Sequence, residues 1–169
     1  MESPRGIEFN NECLKVLIHT LLTTTPQEGC ALLIGSYKQS IGLQQENALQ
    51  IQMVWPCCNI WEPNRFKLLE SPTQINSTVQ EKLSKANRFV IDPREQLLAK
   101  HWARKHNLKV IGSAHSHPHG NPVPSSVDCQ WTLAPGVMVI IGKFGEARAW
   151  WMERSQNFRP TEVAILSPK

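Results

Sequence analysis

Leu14, Leu17, Ile18 and Leu21 stand at i, i+3, i+4 and i+7, an apolar stripe that predicts a helix over residues 10–23. Asn10 or Asn11 can cap its start, and Pro26 lies just beyond its end. The period then changes. Cys30-Ala31-Leu32-Leu33-Ile34 is a continuous apolar run ended by Gly35 and reads as a buried strand. Leu49, Ile51, Met53 and Trp55 alternate with Gln50, Gln52 and Val54, the signature of a half-buried strand, which Pro56 is expected to end. Residues 61–86 are more polar, carry Pro63 and Pro72, and predict an irregular insertion with a short helix around 78–86.

From Asp92 the pattern sharpens. Asp92-Pro93-Arg94-Glu95 places an N-cap, a proline at the first helical position and a carboxylate at the third, a capping-box arrangement. Leu97, Leu98, Trp102 and Ala103 are the candidates for this helix's buried face, and Asn107 for its stop. Leu108–Ala114 predicts a strand running straight into His115. Beyond a Pro/Gly-rich loop, Ser125 can cap a short helix over 126–133. Val137–Ile141 is a strongly apolar strand, Ala147–Met152 its partner across the 142–145 turn, and Val163–Leu166 a last edge strand. Helices interspersed with buried strands make an α/β or α+β domain.

At 169 residues the chain fits one domain, residues 1–169, that can bury a core without disulfides or a structural metal. Hydrophobic residues at 41% and charged residues at 19% call for no exotic class. No apolar run has the length of a membrane span, and Met1-Glu2-Ser3-Pro4-Arg5 lacks a secretory apolar core, so a cytoplasmic location is expected. Five cysteines, Cys13, Cys30, Cys57, Cys58 and Cys129, form no repeating framework and are expected to be reduced and mostly buried. The net charge of +4 is too small to argue for nucleic acid, and the basic residues Lys100, Arg104, Lys105 and Lys109 read as a solvated helix face.

The chemistry concentrates in His115-Ser116-His117-Pro118 and Ser125-Ser126-Val127-Asp128. If the strand continues through residue 117, both histidines project from one face, because strand side chains alternate. Two imidazoles at the mouth of an apolar strand are costly to place there without a partner. Ser125-x-x-Asp128 is also a capping box, which would hold the carboxylate in a fixed direction, as a ligand must be held. His115, His117 and Asp128 together suit zinc. A hydrolytic zinc site needs a base; without an HExxH, the best candidate is Glu28, for which a surface-loop glutamate is the competing reading. His119 fits a solvent-facing position or a substrate contact; His19, His101 and His106 fit structural positions on helices. Cys129 points about 100° away from Asp128 on a helix and reads as buried. Trp150 and Trp151 read as core or interface.

These residues resemble the signature of the JAMM (MPN+) metalloproteases: His115-Ser116-His117-Pro118, the gap through Pro124, and Ser125-x-x-Asp128. Pro26-Gln27-Glu28-Gly29-Cys30 is similar to that family's glutamate-bearing strand entry. Pro56 with Asn59, and Phe89-Val90-Ile91-Asp92-Pro93, resemble landmarks of its small prokaryotic branch, so the likeness spans most of residues 10–152. Ala31 departs from the family's usual glycine, and the 61–86 stretch is longer than expected. The resemblance implies a curved mixed β-sheet flanked by helices, with one zinc held by His115, His117 and Asp128. It implies Glu28 as general acid/base and Ser125 as stabiliser of the tetrahedral oxyanion. It further implies a peptidase or isopeptidase acting at the C-termini of ubiquitin-like or sulfur-carrier proteins. A nucleobase deaminase would need H-x-E followed by P-C-x-x-C, which this chain lacks. A non-catalytic interaction module of the same fold is the alternative, although such scaffolds typically lose ligands and none is lost here. Neither nucleic acid nor membrane is expected as a partner, and the oligomeric state is left open.

Overall fold

The computed structural model describes residues 3–10, 12–38, 48–63, 83–130, 135–153 and 159–166. Seven strands appear among them: β1 (Gly6–Phe9), β2 (Cys30–Lys38), β3 (Ala48–Cys57), β4 (Lys109–Ser116), β5 (Gly136–Ile141), β6 (Ala147–Met152) and β7 (Thr161–Leu166). Three helices accompany them, α1 (Cys13–Leu22), α2 (Pro93–Lys105) and α3 (Ser126–Gln130). The sheet runs β1-β3-β2-β4-β5-β6-β7 and closes on itself. Closure comes from β1, which lies parallel to both β3 and β7. β4 and β5 are also parallel, and the remaining pairs are antiparallel. The expected curved mixed sheet is thus carried through to a closed one.

Four of these strands, β1, β7, β3 and β2, differ from the sequence expectation. β1 has only four residues, too few to show a period, and exists because Ile7 and Phe9 bury themselves between two distant strands. Through it β7 acquires a second neighbour and is not an edge. Pro56 does not end β3, which runs on to Cys57. β1 covers only Ala48–Ile51, so Pro56 pairs with β2 alone and its missing amide is asked for on no second side. β2 likewise continues past Gly35 to Lys38.

Alternation sorts each strand's residues between two layers. Ala31 and Leu33 of β2, Leu49 and Ile51 of β3, Val137, Val139 and Ile141 of β5 and Ala149 and Trp151 of β6 face one core with Leu17 and Leu21 of α1. Cys30, Leu32 and Ile34 face the opposite way, onto Ile91 and onto Ala99 and Ala103 of α2. Met138, Ile140, Trp150 and Met152 form a third cluster against which Cys129 packs.

The helices correct several local expectations. Glu12, with no side-chain cap bond, precedes α1. Asn10 is not the cap: its Oδ1 accepts from Gln50 Nε2 at 2.9 Å, and Asn11 lies outside the described residues. Asp92 caps α2 through Arg94 N at 2.8 Å, as expected, but the Glu95 carboxylate is engaged by Trp55 Nε1 at 3.0 Å. Leu97 and Leu98 are 68% and 57% exposed, because the small Ala99 and Ala103 set the face that packs on β2 and β4. Asn107, at φ 56°, provides the left-handed stop after α2. Of the 61–86 insertion, residues 64–82 lie outside the described residues; Ser84–Asn87 form a turn, and the helix around 78–86 is not present in its described part. No helix among the described residues is long and apolar enough to cross a membrane.

Two glycines allow the strands to approach. A Cβ on Gly35 would overlap the Gln50 carbonyl oxygen, and one on Gly112 the Val137 carbonyl oxygen. Neither obstacle is a flexible side chain. Gly112→Ala is therefore expected to cost on the order of 2–4 kcal/mol in urea unfolding. Gly120→Ala, whose nearest neighbour would be His117 Cβ at 3.6 Å, should stay within about 0.5 kcal/mol of wild type. Equal unfolding midpoints for the two variants would refute the close-approach argument.

Candidate functional site

The end of β4 alternates strictly. Ala114 belongs to the core over α1, whereas His115 stands between Cys30 of β2 and Ile140 of β5 on the opposite face. Ser116 turns inward again: its Oγ donates to Leu21 O at 3.3 Å and accepts from Gly29 N at 2.9 Å. His117 then faces outward beside His115, their Nε2 atoms 2.9 Å apart. It extends the ladder by one bond past β4, His117 N donating to Ile141 O at 2.8 Å. The expectation that both imidazoles share a face is met.

Asp128 is brought to them by the Ser125 cap. Ser125 N and Oγ each donate to Asp128 Oδ2 at 2.7 Å, and Asp128 N reaches Ser125 Oγ at 3.2 Å. The capping box and the arm that brings this carboxylate to the histidines are one feature. The preceding loop is pinned by more than its prolines: Trp150 Nε1 donates to Pro122 O at 3.0 Å, and Lys143 N to Gly120 O at 3.1 Å. Asp128 Oδ1 consequently lies 3.3 Å from His115 Nε2, and Oδ2 3.6 Å from His117 Nε2.

Whether this trio fits a metal can be judged from its donors. His117 Nδ1 lies 2.9 Å from Asn121 O, a carbonyl that can only accept, so Nδ1 carries a proton and the neutral ring presents a lone pair at Nε2. That lone pair meets His115 Nε2 and the Asp128 carboxylate, and one ligand atom from each lies within 4.8 Å of the others. With His115 Nε2 also unprotonated, three electron-pair donors converge on one point and could hold a cation between them. Two imidazoles and a carboxylate are a donor set that zinc accepts, with a coordination position left over. His115 is fully buried and its ring stacks on Phe89, centroids 4.5 Å apart at 24°.

The two carboxylates are pushed in opposite directions. Burial alone would raise Asp128, but the charges and hydrogen bonds of His115, His117 and Ser125 outweigh it and hold the group well below the usual carboxylate range. Burial likewise opposes a charge on His117, yet its bonds to Asp128 and Asn121 raise its pKa. Glu28, only 7% exposed, lies within the field of both histidines, and burial pushes it from 4.5 up to about 7 despite their opposing pull. It is not a surface-loop glutamate. Its amide donates to Lys85 O at 2.7 Å, and its carbonyl accepts from Asn59 Nδ2 at 3.1 Å.

The other candidates fall into place around this group. His119, His19 and His101 are exposed, and His106 stacks on Trp102 at 3.8 Å. Among the five free cysteines, Cys30 is buried, Cys13, Cys57 and Cys129 are half-buried and Cys58 is exposed. The Lys100, Arg104, Lys105 and Lys109 side chains are solvated. Trp151 is a core residue, and Trp150 is buried on the other face. Sequence reasoning gave no role to Ser116, to the Asn121 carbonyl or to the Phe89 ring. The period of two that aligned the histidines also signals that Ser116 points inward; the other two contacts have no local signal.

The raised Glu28 pKa has a consequence for the metal-free protein. A carboxyl raised on folding contributes stability while it is protonated, and that contribution is lost as pH rises from about 4.5 through about 7. Glu28→Gln removes the ionisation. In thermal melts with chelator, the variant's Tm relative to wild type should therefore be higher at pH 8 than at pH 4.5. A difference that does not change with pH would show that Glu28 is not held in its neutral form.

The family described as prokaryotic homologs of the JAB domain matches residues 10–153, a span that contains Glu28, Ser125 and the convergent His115, His117 and Asp128. A desampylase of Pyrococcus furiosus is 29% identical over 88 residues, 52% of this chain and 63% of that protein. The match thus spans less than two thirds of that relative. A solution structure from Desulfitobacterium hafniense superposes with a TM-score of 0.68 at 19% identity, covering 96% of this chain and 93% of that one. Another from Salinibacter ruber gives 0.58 at 18% identity, covering 95% and 91%. At such identities these two establish the fold alone. With the family match extending over the strands, helices and loops that build the site, the chain belongs to the prokaryotic homologues of the JAB domain.

Proposed function

We propose that this protein is a single-domain, zinc-dependent peptidase or isopeptidase that hydrolyses bonds at the C-terminus of a ubiquitin-like or sulfur-carrier protein. The observation that carries the reading is the convergence of His115, His117 and Asp128 beside a buried Glu28 whose pKa stands at about 7. Membership of the JAB family and the likeness to a desampylase support a hydrolase acting on ubiquitin-like modifiers.

Zinc, when bound, supplies Lewis-acid chemistry, acidifying water and polarising a carbonyl. His115 and His117 would hold it through Nε2 and Asp128 through its carboxylate, which Ser125 keeps oriented. Glu28 takes a proton from the attacking water onto a carboxylate oxygen and later delivers it to the nitrogen of the leaving amine. Burial raises Glu28 to about 7 in the metal-free protein, and a bound cation would draw it back toward the carboxylate, the form that accepts the proton. Ser125 sits at the exposed rim with one hydroxyl proton, directed at Asp128 Oδ2. Turning that proton toward the substrate would let Ser125 stabilise the oxyanion of the tetrahedral intermediate.

The test is incubation with ubiquitin-like and sulfur-carrier proteins bearing C-terminal extensions, read as loss of the extension by intact-mass spectrometry. Wild type should release the extension. Glu28→Gln should keep one zinc per chain and lose about 10²–10⁴-fold in kcat/KM. Full activity in that variant would remove Glu28 from its role. A second expectation concerns the ligands: His117→Ala and Asp128→Ala should each purify without stoichiometric zinc by elemental analysis. Retention of zinc in both would overturn the ligand set. Wild type that holds no zinc and cleaves nothing would support the interaction-module alternative.

A further inference from the structure

Asn59 lies two residues past the end of β3, and its single carboxamide makes four hydrogen bonds. Nδ2 donates to Glu28 O at 3.1 Å and to Arg88 O at 2.9 Å. Oδ1 accepts from Trp61 N at 3.1 Å and from Val90 N at 3.2 Å. A primary amide has two N–H groups and two lone pairs, so every valence of this side chain is used.

The partners decide what the bonds can do. Arg88 O and Val90 N bracket Phe89, the residue whose ring stacks on His115. Glu28 O belongs to the carboxylate bearer itself. Ser116 ties the other side of this turn to β4 through Gly29 N and Gly29 O, at 2.9 and 3.0 Å. Glu28 is therefore strung between two anchors. One is the strand that carries the histidines; the other is Asn59, which at the same time sets the backbone beneath the Phe89 ring.

We propose that Asn59 is a positioning residue for this site: it registers the Glu28 main chain against the Phe89 ring that packs on His115. The proposal rests on the reading of Glu28 as the proton carrier. A proton carrier displaced by about 1 Å can lose on the order of 10²-fold in rate. No other side chain of similar size reproduces the set. Aspartate keeps the acceptors but loses both donors and sets a carboxylate oxygen against two carbonyls; leucine has neither.

The test uses the zinc-loaded protein and its Asn59→Ala variant, with Phe89→Leu as a reference that removes the aromatic ring. Ring stacking shifts the His115 side-chain proton signals, which are read by NMR without reference to activity. In Asn59→Ala these signals should move toward their Phe89→Leu positions while zinc remains stoichiometric. On a cleavable modifier, kcat should fall at least tenfold with KM within twofold. Val163→Ala, a core change in β7, serves as the control for lost stability and should move neither quantity. If Asn59→Ala does not fold, Asn59→Asp carries the same test with the two acceptor contacts kept. A folded variant whose His115 signals and kcat match wild type overturns the proposal. A wild type that cleaves nothing, with His115 signals that still move in the variant, overturns the hydrolase reading and leaves the positioning of the ring standing.

Discussion

The register of β4 is the constraint on which the site depends. β4 is paired on both sides, with β2 and with β5, and Gly112 lets the backbone of β5 come close. A slip of one residue would reverse every side chain, turning both imidazoles into the core over α1 and Ser116 out to the surface. In the register observed, one tripeptide does two things. Its outer residues face Asp128, with which they could hold a metal, and its inner hydroxyl secures the turn that carries Glu28.

Around that strand end the protein separates two carboxylates by environment. Asp128 accepts from the Ser125 amide and hydroxyl and faces two imidazoles, so its charge is favoured even though it is 8% exposed. Glu28 is buried among groups that satisfy its backbone, so its charge is disfavoured. Two acids of similar intrinsic strength are thereby driven apart, one toward its anion and the other toward its neutral form. The difference arises from local donors in one case and from burial in the other.

Where a feature needed only neighbours in the chain, the sequence made it legible. The α1 stripe, the Asp92 cap, the Asn107 stop, the Ser125-x-x-Asp128 box and the common face of His115 and His117 all depend on spacing of a few residues. The failures share a different cause. Leu97 and Leu98 looked like core because they are apolar, but the helix rotates to the face where Ala99 and Ala103 permit close packing. Glu95 fitted a capping box until Trp55, forty residues earlier, competed for its carboxylate. Pro56 looked like a terminator, yet the sheet asks nothing of its missing amide.

By itself, the sequence determined the candidate metal-binding side chains, the common face of the two histidines and the helical arm that presents Asp128, because strand and helix periods act within a few residues. It also marked Glu28 by its place before an apolar strand. Only the tertiary structure decided that Glu28 is buried with a raised pKa, that Phe89 stacks on His115, and that β1 and β7 close the sheet. Each of these depends on segments tens of residues apart meeting in space. Burial and closure are properties of the assembled surface, and no local period encodes them.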